Sequence, residues 1–304
     1  MGRTAKIGVA SWAYTAYDSR DWNEVFKALG EKGIEGIELS GSLDHHHPSS
    51  FPTKHDRKSL VNNLKNLGLS ICGYYARMSD IPPISEDDSR RAKYIELFRE
   101  NIQFCVDCAI PAVRVDTVER PPLGEPNKSE TKMRLLETWE KCAEYASKYG
   151  IDIVWEFEPG FIFNKPHDIA EIIHAVDHPN FGVLFDFSHA YMCAVSGAKQ
   201  EKPYDRLEGG VVESVKLLKG KILRVHLSDS DGTLHNNISS THVPLGEGYL
   251  DFDAVVKTVL DSGYNRIWWS IDPCFQQNPL RSISQDIKFV QNLLRKFGIR
   301  QRSS

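Results

Sequence analysis

Short apolar segments that alternate with longer amphipathic segments recur about eight times along this 304-residue chain. The short segments are mostly apolar, as strands buried on both faces of a parallel sheet must be. The predicted strands are Lys6–Ser11, Gly36–Leu39, Leu69–Tyr74, Ala112–Asp116, Asp152–Phe157, Gly182–Phe187, Leu223–Leu227 and Ile267–Ile271. The segments between them have apolar residues at helical spacing, so the pattern predicts repeated strand–helix units and an α/β fold.

Many of the predicted helices end in glycine, which is typical of a left-handed helix terminus that returns the chain to the next strand. Eight strand–helix units fill the whole chain, which fits a closed (β/α)8 TIM barrel better than an open doubly wound sheet. The sequence therefore predicts one barrel domain spanning residues 1–304. In such a barrel, the reactive groups lie at the C-terminal ends of the strands.

The net charge excludes some classes of partner. The formal charge is −4 and the pI is near 6.3, so no overall positive field attracts nucleic acid. No segment has the ~18–20 apolar residues of a membrane span, and the N-terminal segment lacks the apolar core of a signal peptide. We therefore expect a cytoplasmic protein that binds neither nucleic acid nor a membrane and acts on a small molecule.

The last four predicted strands all end in ionisable residues. These are Glu156, Asp186, His226 and Asp272. Three carboxylates converging at the mouth of a buried core would repel one another unless a cation neutralised them. One imidazole and three carboxylates form an oxygen-rich set that suits Mn²⁺, Mg²⁺ or Co²⁺, with Zn²⁺ also a candidate. The sequence therefore predicts one divalent metal ion at this end of the barrel.

Other polar and aromatic side chains near the strand ends are candidates for contacting a sugar or polyol substrate. The predicted substrate-binding residues are Trp12, Tyr74, Arg114, Glu158, His189 and His242. His189 is the strongest of these, because it follows the predicted ligand Asp186 by three residues. Asp229, three residues after His226, is predicted to have a supporting role, either orienting that imidazole or holding its loop.

Four segments carry a resemblance to a known family: GIDIVWEFEP, GVLFDFSHA, RVHLSDSDG and HVPLGEGYLDFDAV. In these segments the chain resembles the sugar phosphate isomerase/epimerase group of xylose isomerase-like TIM barrels, which also includes the endonuclease IV type of DNA-repair enzyme. The resemblance spans nearly the whole chain. It implies a homo-oligomer, because members of the family commonly form dimers or tetramers.

In the ketose-epimerase branch, the resemblance implies that Glu156, Asp186, His226 and Asp272 hold one metal and that His189 touches substrate oxygens. Asp272 departs from the pattern, since that branch has a glutamate there, one methylene longer. The trinuclear zinc cluster of the endonuclease branch needs histidines after the third and fourth strands. This chain has Tyr74 or Tyr75 after the third strand and Arg114 at the end of the fourth, which argues against DNA repair.

The expected function is that of a metal-dependent isomerase or epimerase of a sugar or keto-sugar. The metal would acidify a C–H bond next to a carbonyl, and Glu156 or Asp272 would remove the proton as the catalytic base. Two alternatives remain open from the sequence. The same enediolate could expel a leaving group, as in a lyase or dehydratase acting on an oxidised sugar or glycoside, or the barrel could be a metal-stabilised subunit or binding module of a partner enzyme.

Overall fold

The computed structural model describes residues 3–16, 21–42, 45–78, 81–118, 128–276 and 278–301. Eight parallel strands close into a barrel with the helices between them, so the predicted (β/α)8 fold is confirmed. The barrel strands are β1 Thr4–Ala10, β2 Gly36–Ser40, β3 Ser70–Tyr75, β4 Ala112–Val115, β5 Asp152–Trp155, β6 Phe181–Asp186, β7 Ile222–Leu227 and β10 Trp268–Ile271. Each lies within two residues of its predicted bounds.

Helices follow the barrel strands. They are α1 Trp12–Ala16, α2 Trp22–Glu31, α3 Lys54–Asn66, α4 Asp88–Asp107, α5 Lys128–Ser147, α6 Pro166–Ala175, α7 Phe187–Tyr191, α8 Gly210–Leu217, α9 Phe252–Asp261 and α10 Pro279–Lys296. Three short strands complete the fold. Strands β8 Leu234–His235 and β9 Ser239–Ser240 form an antiparallel hairpin after β7, and β11 Arg300–Gln301 pairs with β1. The hairpin lies in the loop that leads from β7 to α9 and so belongs to the C-terminal end of the barrel.

The barrel closes by pairing of its first and last strands. Lys6 of β1 is in register with Trp268 of β10, and Gly8 with Ser270. A Cβ atom built on Gly36 of the neighbouring strand β2 would lie 2.4 Å from the Trp268 ring. The absence of a side chain at Gly36 therefore makes room for the indole, and this pairing of small with large residues lets the narrow interior pack densely.

Local sequence signals set the ends of the helices. Thr53 begins α3 with a capping box, in which its hydroxyl accepts a hydrogen bond from the Asp56 N–H and the Asp56 side chain accepts one from the Thr53 N–H. Gly68 after α3 and Gly150 after α5 have φ values of 76° and 66°. Because glycine adopts this left-handed conformation without a steric penalty, both helices end there and the chain turns into the next strand.

The helices bury apolar faces against the outside of the barrel. Trp139 of α5 packs with ring centroids 5.2 Å from Trp155 of β5 and 5.3 Å from Phe181 of β6, and all three side chains are buried. These contacts hold the strands whose ends carry the candidate site. Among the helices described here, none is both long and apolar enough to cross a bilayer.

Candidate active site

Four strand ends bring the predicted metal ligands together. Glu156 directly follows β5, Asp186 ends β6, His226 lies one residue before the end of β7, and Asp272 directly follows β10. Asp186 and Ser270 are both in register with His226, which places the last three strand ends at one level. Each of the four side chains offers one atom, and these four atoms lie within 4.8 Å of one another in a buried cluster.

The chemistry of this cluster fits a divalent cation. His226 Nδ1 lies 2.8 Å from Glu156 Oε1, 3.6 Å from Asp272 Oδ2 and 3.8 Å from Asp186 Oδ2. Nevertheless, Nδ1 and both Glu156 oxygens are buried without a hydrogen-bond partner in acceptable geometry. Buried polar atoms are nearly always satisfied, so the unpartnered nitrogen and oxygen atoms of this cluster fit the coordination of a divalent cation. These four residues could therefore hold one divalent metal ion.

The pKa shifts in the cluster also indicate that its carboxylates need a neighbouring positive charge. Burial alone would lower the pKa of His226, but the Glu38 and Glu156 carboxylates raise it well above its ordinary value. Burial acts to raise the pKa of Glu156, but the Arg114 guanidinium and His226 together lower it. Burial raises the pKa of Asp186 to about 6. The carboxylates therefore need a cation among them, whether a proton on the imidazole or a metal ion.

Hydrogen bonds from two directions fix Asp186. Its carboxylate accepts the N–H of His189 at 2.8 Å, which caps the short helix α7, and the hydroxyl of Ser228, which lies 2.8 Å from both carboxylate oxygens. Asp186 therefore keeps one orientation at the end of β6. Ser228, two residues after His226, is a supporting residue that the sequence analysis missed.

Arg114 of β4 joins the cluster to neighbouring carboxylates. Its guanidinium contacts Glu156 directly, lies 3.1 Å from Glu158 and 3.5 Å from Asp116, and stacks over the Tyr75 ring at 4.6 Å. Burial raises the pKa of Glu158 to about 7; the charge of Glu156 adds to this effect and Arg114 opposes it. Arg114 therefore holds Glu156 by an ion pair and Glu158 by an ion pair that includes a hydrogen bond.

A chain of hydrogen bonds links the two predicted histidines through Ser240. The Ser240 hydroxyl lies 2.5 Å from His189 Nδ1 and 3.2 Å from His242 Nε2, and His242 Nδ1 lies 3.1 Å from the backbone oxygen of Asp272. Because a carbonyl oxygen can only accept, His242 Nδ1 carries the proton. The hairpin after β7, which ends at Ser240, therefore connects His189 to the loop that follows β10.

Three residues of the cluster, Glu156, His226 and Asp272, line a cavity of about 290 Å³ at the mouth of the barrel. Four of the six predicted substrate-binding residues line this cavity: Trp12, Arg114, Glu158 and His189. Trp12 meets the edge of Phe275 at 5.6 Å between ring centroids, and Phe161 lines the cavity as well. Aromatic faces beside convergent polar groups are suited to bind a sugar ring.

The other two predicted substrate-binding residues, Tyr74 and His242, do not line the cavity. Tyr74 is buried with its ring 5.2 Å from Phe104 of α4, and its hydroxyl donates to the backbone oxygen of His46 at 3.3 Å. Tyr75 occupies the cavity side instead, because successive residues of a strand point to opposite faces. His242 is buried beneath the lining, where it contacts Ser240 and the backbone of Asp272.

Asp229 holds a loop. Its carboxylate accepts hydrogen bonds from four backbone N–H groups at 2.9–3.2 Å, those of Ser230, Gly246, Gly248 and Leu250. A Cβ atom built on Gly248 would lie 2.3 Å from Asp229 Oδ1, so only glycine permits this close approach. Of the two supporting roles predicted for Asp229, the contacts of its side chain match loop holding.

The sequence analysis missed Glu38 as a residue of the site. Glu38 lies in the middle of β2, lines the cavity, and has Oε2 2.9 Å from His226 Nε2. The hydroxyl of Ser270 contacts its other oxygen. A signal was present in the sequence, since Glu38 is the one charged residue in the otherwise uncharged strand GIELS. A lone charge within a buried strand needs a partner inside the barrel.

Comparisons with known proteins agree with this architecture. Residues 21–293 match the family model of the xylose isomerase-like TIM barrel. L-ribulose-5-phosphate 3-epimerase UlaE of Shigella flexneri serotype 5b (strain 8401) is 24% identical over 247 residues, which cover 80% of this chain and 79% of that protein.

Two solved structures share the fold. The structure of the IOLI protein with a binding zinc atom has a TM-score of 0.75 and 18% identity, covering 96% of this chain and 99% of that one. The structure of L-ribulose 3-epimerase has a TM-score of 0.74 and 18% identity, covering 96% and 95% of the two chains. At this identity these likenesses establish the fold alone. Because the family model matches 273 of the 304 residues, the chain belongs to the xylose isomerase-like TIM barrel family.

Proposed function

We propose that the protein is a divalent-metal-dependent isomerase or epimerase of a keto-sugar, acting by proton transfer at the carbon next to a carbonyl. The observation that carries this proposal is the buried cluster of Glu156, Asp186, His226 and Asp272, three of which line the cavity. The epimerase activity of the UlaE relative supports the same class of reaction. A divalent ion held by the cluster would polarise the carbonyl and acidify the neighbouring C–H bond.

Two carboxylates of the cluster are placed to move the proton. Glu156 directly follows β5 and Asp272 directly follows β10, and both line the cavity. Arg114 and His226 lower the pKa of Glu156, so Glu156 is present as the carboxylate, the form that a base requires. One carboxylate removes the proton and the other returns it to the opposite face or to the next carbon.

Neighbouring residues orient the substrate. His189 lines the cavity and uses Nδ1 to contact Ser240, so Nε2 is its ring nitrogen that can meet a substrate oxygen. Glu158 accepts a hydrogen bond of 2.6 Å from the Ser239 hydroxyl and also lines the cavity. Trp12 and Phe275 offer apolar faces to the C–H groups of a sugar.

Proton exchange with solvent tests this proposal directly. Wild-type protein loaded with Mn²⁺, Co²⁺, Mg²⁺ or Zn²⁺ is incubated in D₂O with L-ribulose and with L-ribulose 5-phosphate. We expect deuterium at the carbon next to the carbonyl, measured by NMR or mass spectrometry. Glu156→Gln keeps the shape of the side chain and removes the base, so exchange should fall by ~10²–10⁴-fold. Metal content is measured in parallel, because Glu156 is also a ligand in this proposal.

Asp272→Asn separates the roles of the two carboxylates. If exchange persists in this variant while product formation stops, Asp272 acts after the proton has been removed. Formation of a dehydrated or cleaved product by the wild type would instead favour the lyase. Absence of exchange and turnover in fully metallated wild-type protein, with these and other free and phosphorylated keto-sugars, would contradict the proposal and favour a binding subunit.

A further inference from the structure

We propose that Glu38 is the positioning residue for His226, which it fixes with Nδ1 turned toward the metal cluster; this inference rests on the metal-dependent function proposed above. Glu38 Oε2 lies 2.9 Å from His226 Nε2. A carboxylate accepts, so the imidazole carries its proton at Nε2 and donates it to Glu38. Nδ1 lies 2.8 Å from Glu156 Oε1 on the side of the cluster. A metal ion bound at Nδ1 would take the place of a proton there, while Glu38 would keep the other proton at Nε2.

The contacts around Glu38 fix its own orientation. The Ser270 hydroxyl donates to Oε1, so each carboxylate oxygen has one partner and the side chain cannot rotate without losing both. Ser270 and His226 are also paired in register between β10 and β7. Glu38 therefore ties β2 to both of these strands across the interior of the barrel.

Two glycines provide the space for this arrangement. A Cβ atom built on Gly73 of β3 would lie 3.1 Å from Glu38 Cγ and 3.3 Å from its Cδ. A Cβ atom built on Gly8 of β1 would lie 2.7 Å from Ser270 Oγ. Contacts this short would displace the Glu38 or the Ser270 side chain. The strands β1, β2, β3 and β10 together therefore build the support for one imidazole.

Glu38 acts through His226 and is itself outside the ligand set. Among the described residues, the group of His226 with the carboxylates of Glu156, Asp186 and Asp272 does not include Glu38, and neither does any other group whose ligand atoms lie within 4.8 Å of one another. A carboxylate on the far nitrogen of a metal-bound histidine fixes its tautomer and raises its basicity. Loss of such a partner typically lowers metal affinity by ~10–100-fold.

The experiment measures metal affinity apart from catalysis. The dissociation constants of Mn²⁺ and Zn²⁺ are determined by competition with a chelator for wild type and Glu38→Gln, together with the Mn²⁺ EPR spectrum. Glutamine keeps the size of the side chain but can equally present an amide N–H to the imidazole. We expect affinity to fall by ~10–100-fold and the EPR spectrum to change. The unfolding midpoint of the metal-free protein reports any purely structural effect.

A matched control and a second variant complete the test. Glu35, three residues before Glu38, accepts a hydrogen bond of 3.0 Å from the Ile7 N–H and is not part of the cluster. Glu35→Gln should therefore keep the wild-type metal affinity. Ser270→Ala removes only the hydroxyl that holds Glu38, and affinity should fall several-fold. This variant decides the question if Glu38→Gln does not fold.

The outcomes distinguish the two proposals. If wild-type protein binds no divalent metal, the proposed metal-dependent function fails, and the role of Glu38 fails with it. If wild type binds metal and Glu38→Gln and Ser270→Ala bind it equally well, only the role of Glu38 is overturned. An unchanged affinity accompanied by a lower unfolding midpoint of the metal-free protein would assign Glu38 a purely structural role.

Discussion

The two halves of the barrel contribute differently to the site. The second half supplies the clustered ligands, each at the end of a strand: Glu156, Asp186, His226 and Asp272. The first half supplies the charged residues that contact two of them, with Glu38 of β2 on His226 and Arg114 of β4 on Glu156. The support of Asp186, the Ser228 hydroxyl, comes from the second half itself. The first half therefore contributes charged supports, and only the complete barrel brings them to the proposed ligands.

The largest expected effect comes from a ligand in the second half. Asp186→Asn removes a carboxylate charge but keeps the size of the side chain, and an amide is a poorer ligand for a divalent cation. Metal affinity should fall by more than the ~100-fold that loss of a supporting residue costs. Elemental analysis after gel filtration and chelator competition measure this loss. Asp177→Asn, at an exposed aspartate paired with Lys221, is the control, and wild-type affinity in Asp186→Asn would contradict the site assignment.

A support in the first half should matter less than a ligand. Lysine at position 114 keeps the charge but cannot contact Glu156 and Glu158 at once as the guanidinium does. Proton exchange in Arg114→Lys should fall roughly 10–100-fold, which corresponds to one lost hydrogen bond to a charged group. Arg134→Lys, on α5 and paired with Glu130, is the matched control. If Arg114→Lys exchanged protons at the wild-type rate, Arg114 would have no part in holding the base.

The second half of the site was predictable because its residues follow a simple rule. An apolar run such as IDIVW or FGVLF identifies a buried parallel strand, and the first ionisable residue after it lies at the barrel mouth. Glu156 and Asp186 both satisfy this rule. Convergence of the four residues then follows from the closure of the barrel, so the sequence was enough to predict the cluster.

The first half was harder to predict because its contributions depend on which way each side chain points. Tyr74 and Tyr75 are adjacent, and the choice between them rests on strand register, which is interrupted by a shift between Ile37 and Glu38 where β2 pairs with β3. Glu38 lies in the middle of β2, so a rule that selects the first ionisable residue after a strand does not identify it. Its partners His226 and Ser270 are 188 and 232 residues away in the chain, beyond any local pattern.

Larger side chains inside the first half of the barrel should also lower the stability of the fold. In Gly36→Ala, the new methyl group would lie 2.4 Å from the Trp268 ring and displace it. The free energy of unfolding should fall by about 1–3 kcal/mol, the usual cost of overpacking. Urea unfolding of the metal-free protein measures this, and the double variant with Trp268→Leu should lose less than the sum of the two single changes. Simple additivity would show that the two residues do not compete for space.

The smallest expected effect concerns a buried carboxyl group outside the barrel mouth. Asp286 of α10 accepts the Leu245 N–H at 2.9 Å, its other oxygen has no partner, and burial raises its pKa from 3.8 to about 6. The folded state therefore favours the protonated acid, and this stabilisation is complete below pH 4 and is lost as the pH rises through 6.

Asp286→Asn removes the charge and should raise the free energy of unfolding at pH 7 by about 1–2 kcal/mol. At pH 4 the gain should disappear. Urea unfolding at both pH values measures it. A gain of the same size at both pH values would mean that Asp286 is not protonated in the folded state.

The four amide hydrogen bonds to Asp229 have a consequence for protein engineering. Because one carboxylate gathers backbone groups from Ser230 to Leu250, the intervening segment carries its own anchor and does not depend on a ligand to become ordered. Such a segment can be treated as a cassette. Ser239 is the residue of this segment that lines the cavity, so substitutions there would change the cavity wall while the hydrogen bonds to Asp229 hold the segment in place. Libraries aimed at new sugars should therefore diversify Ser239 first.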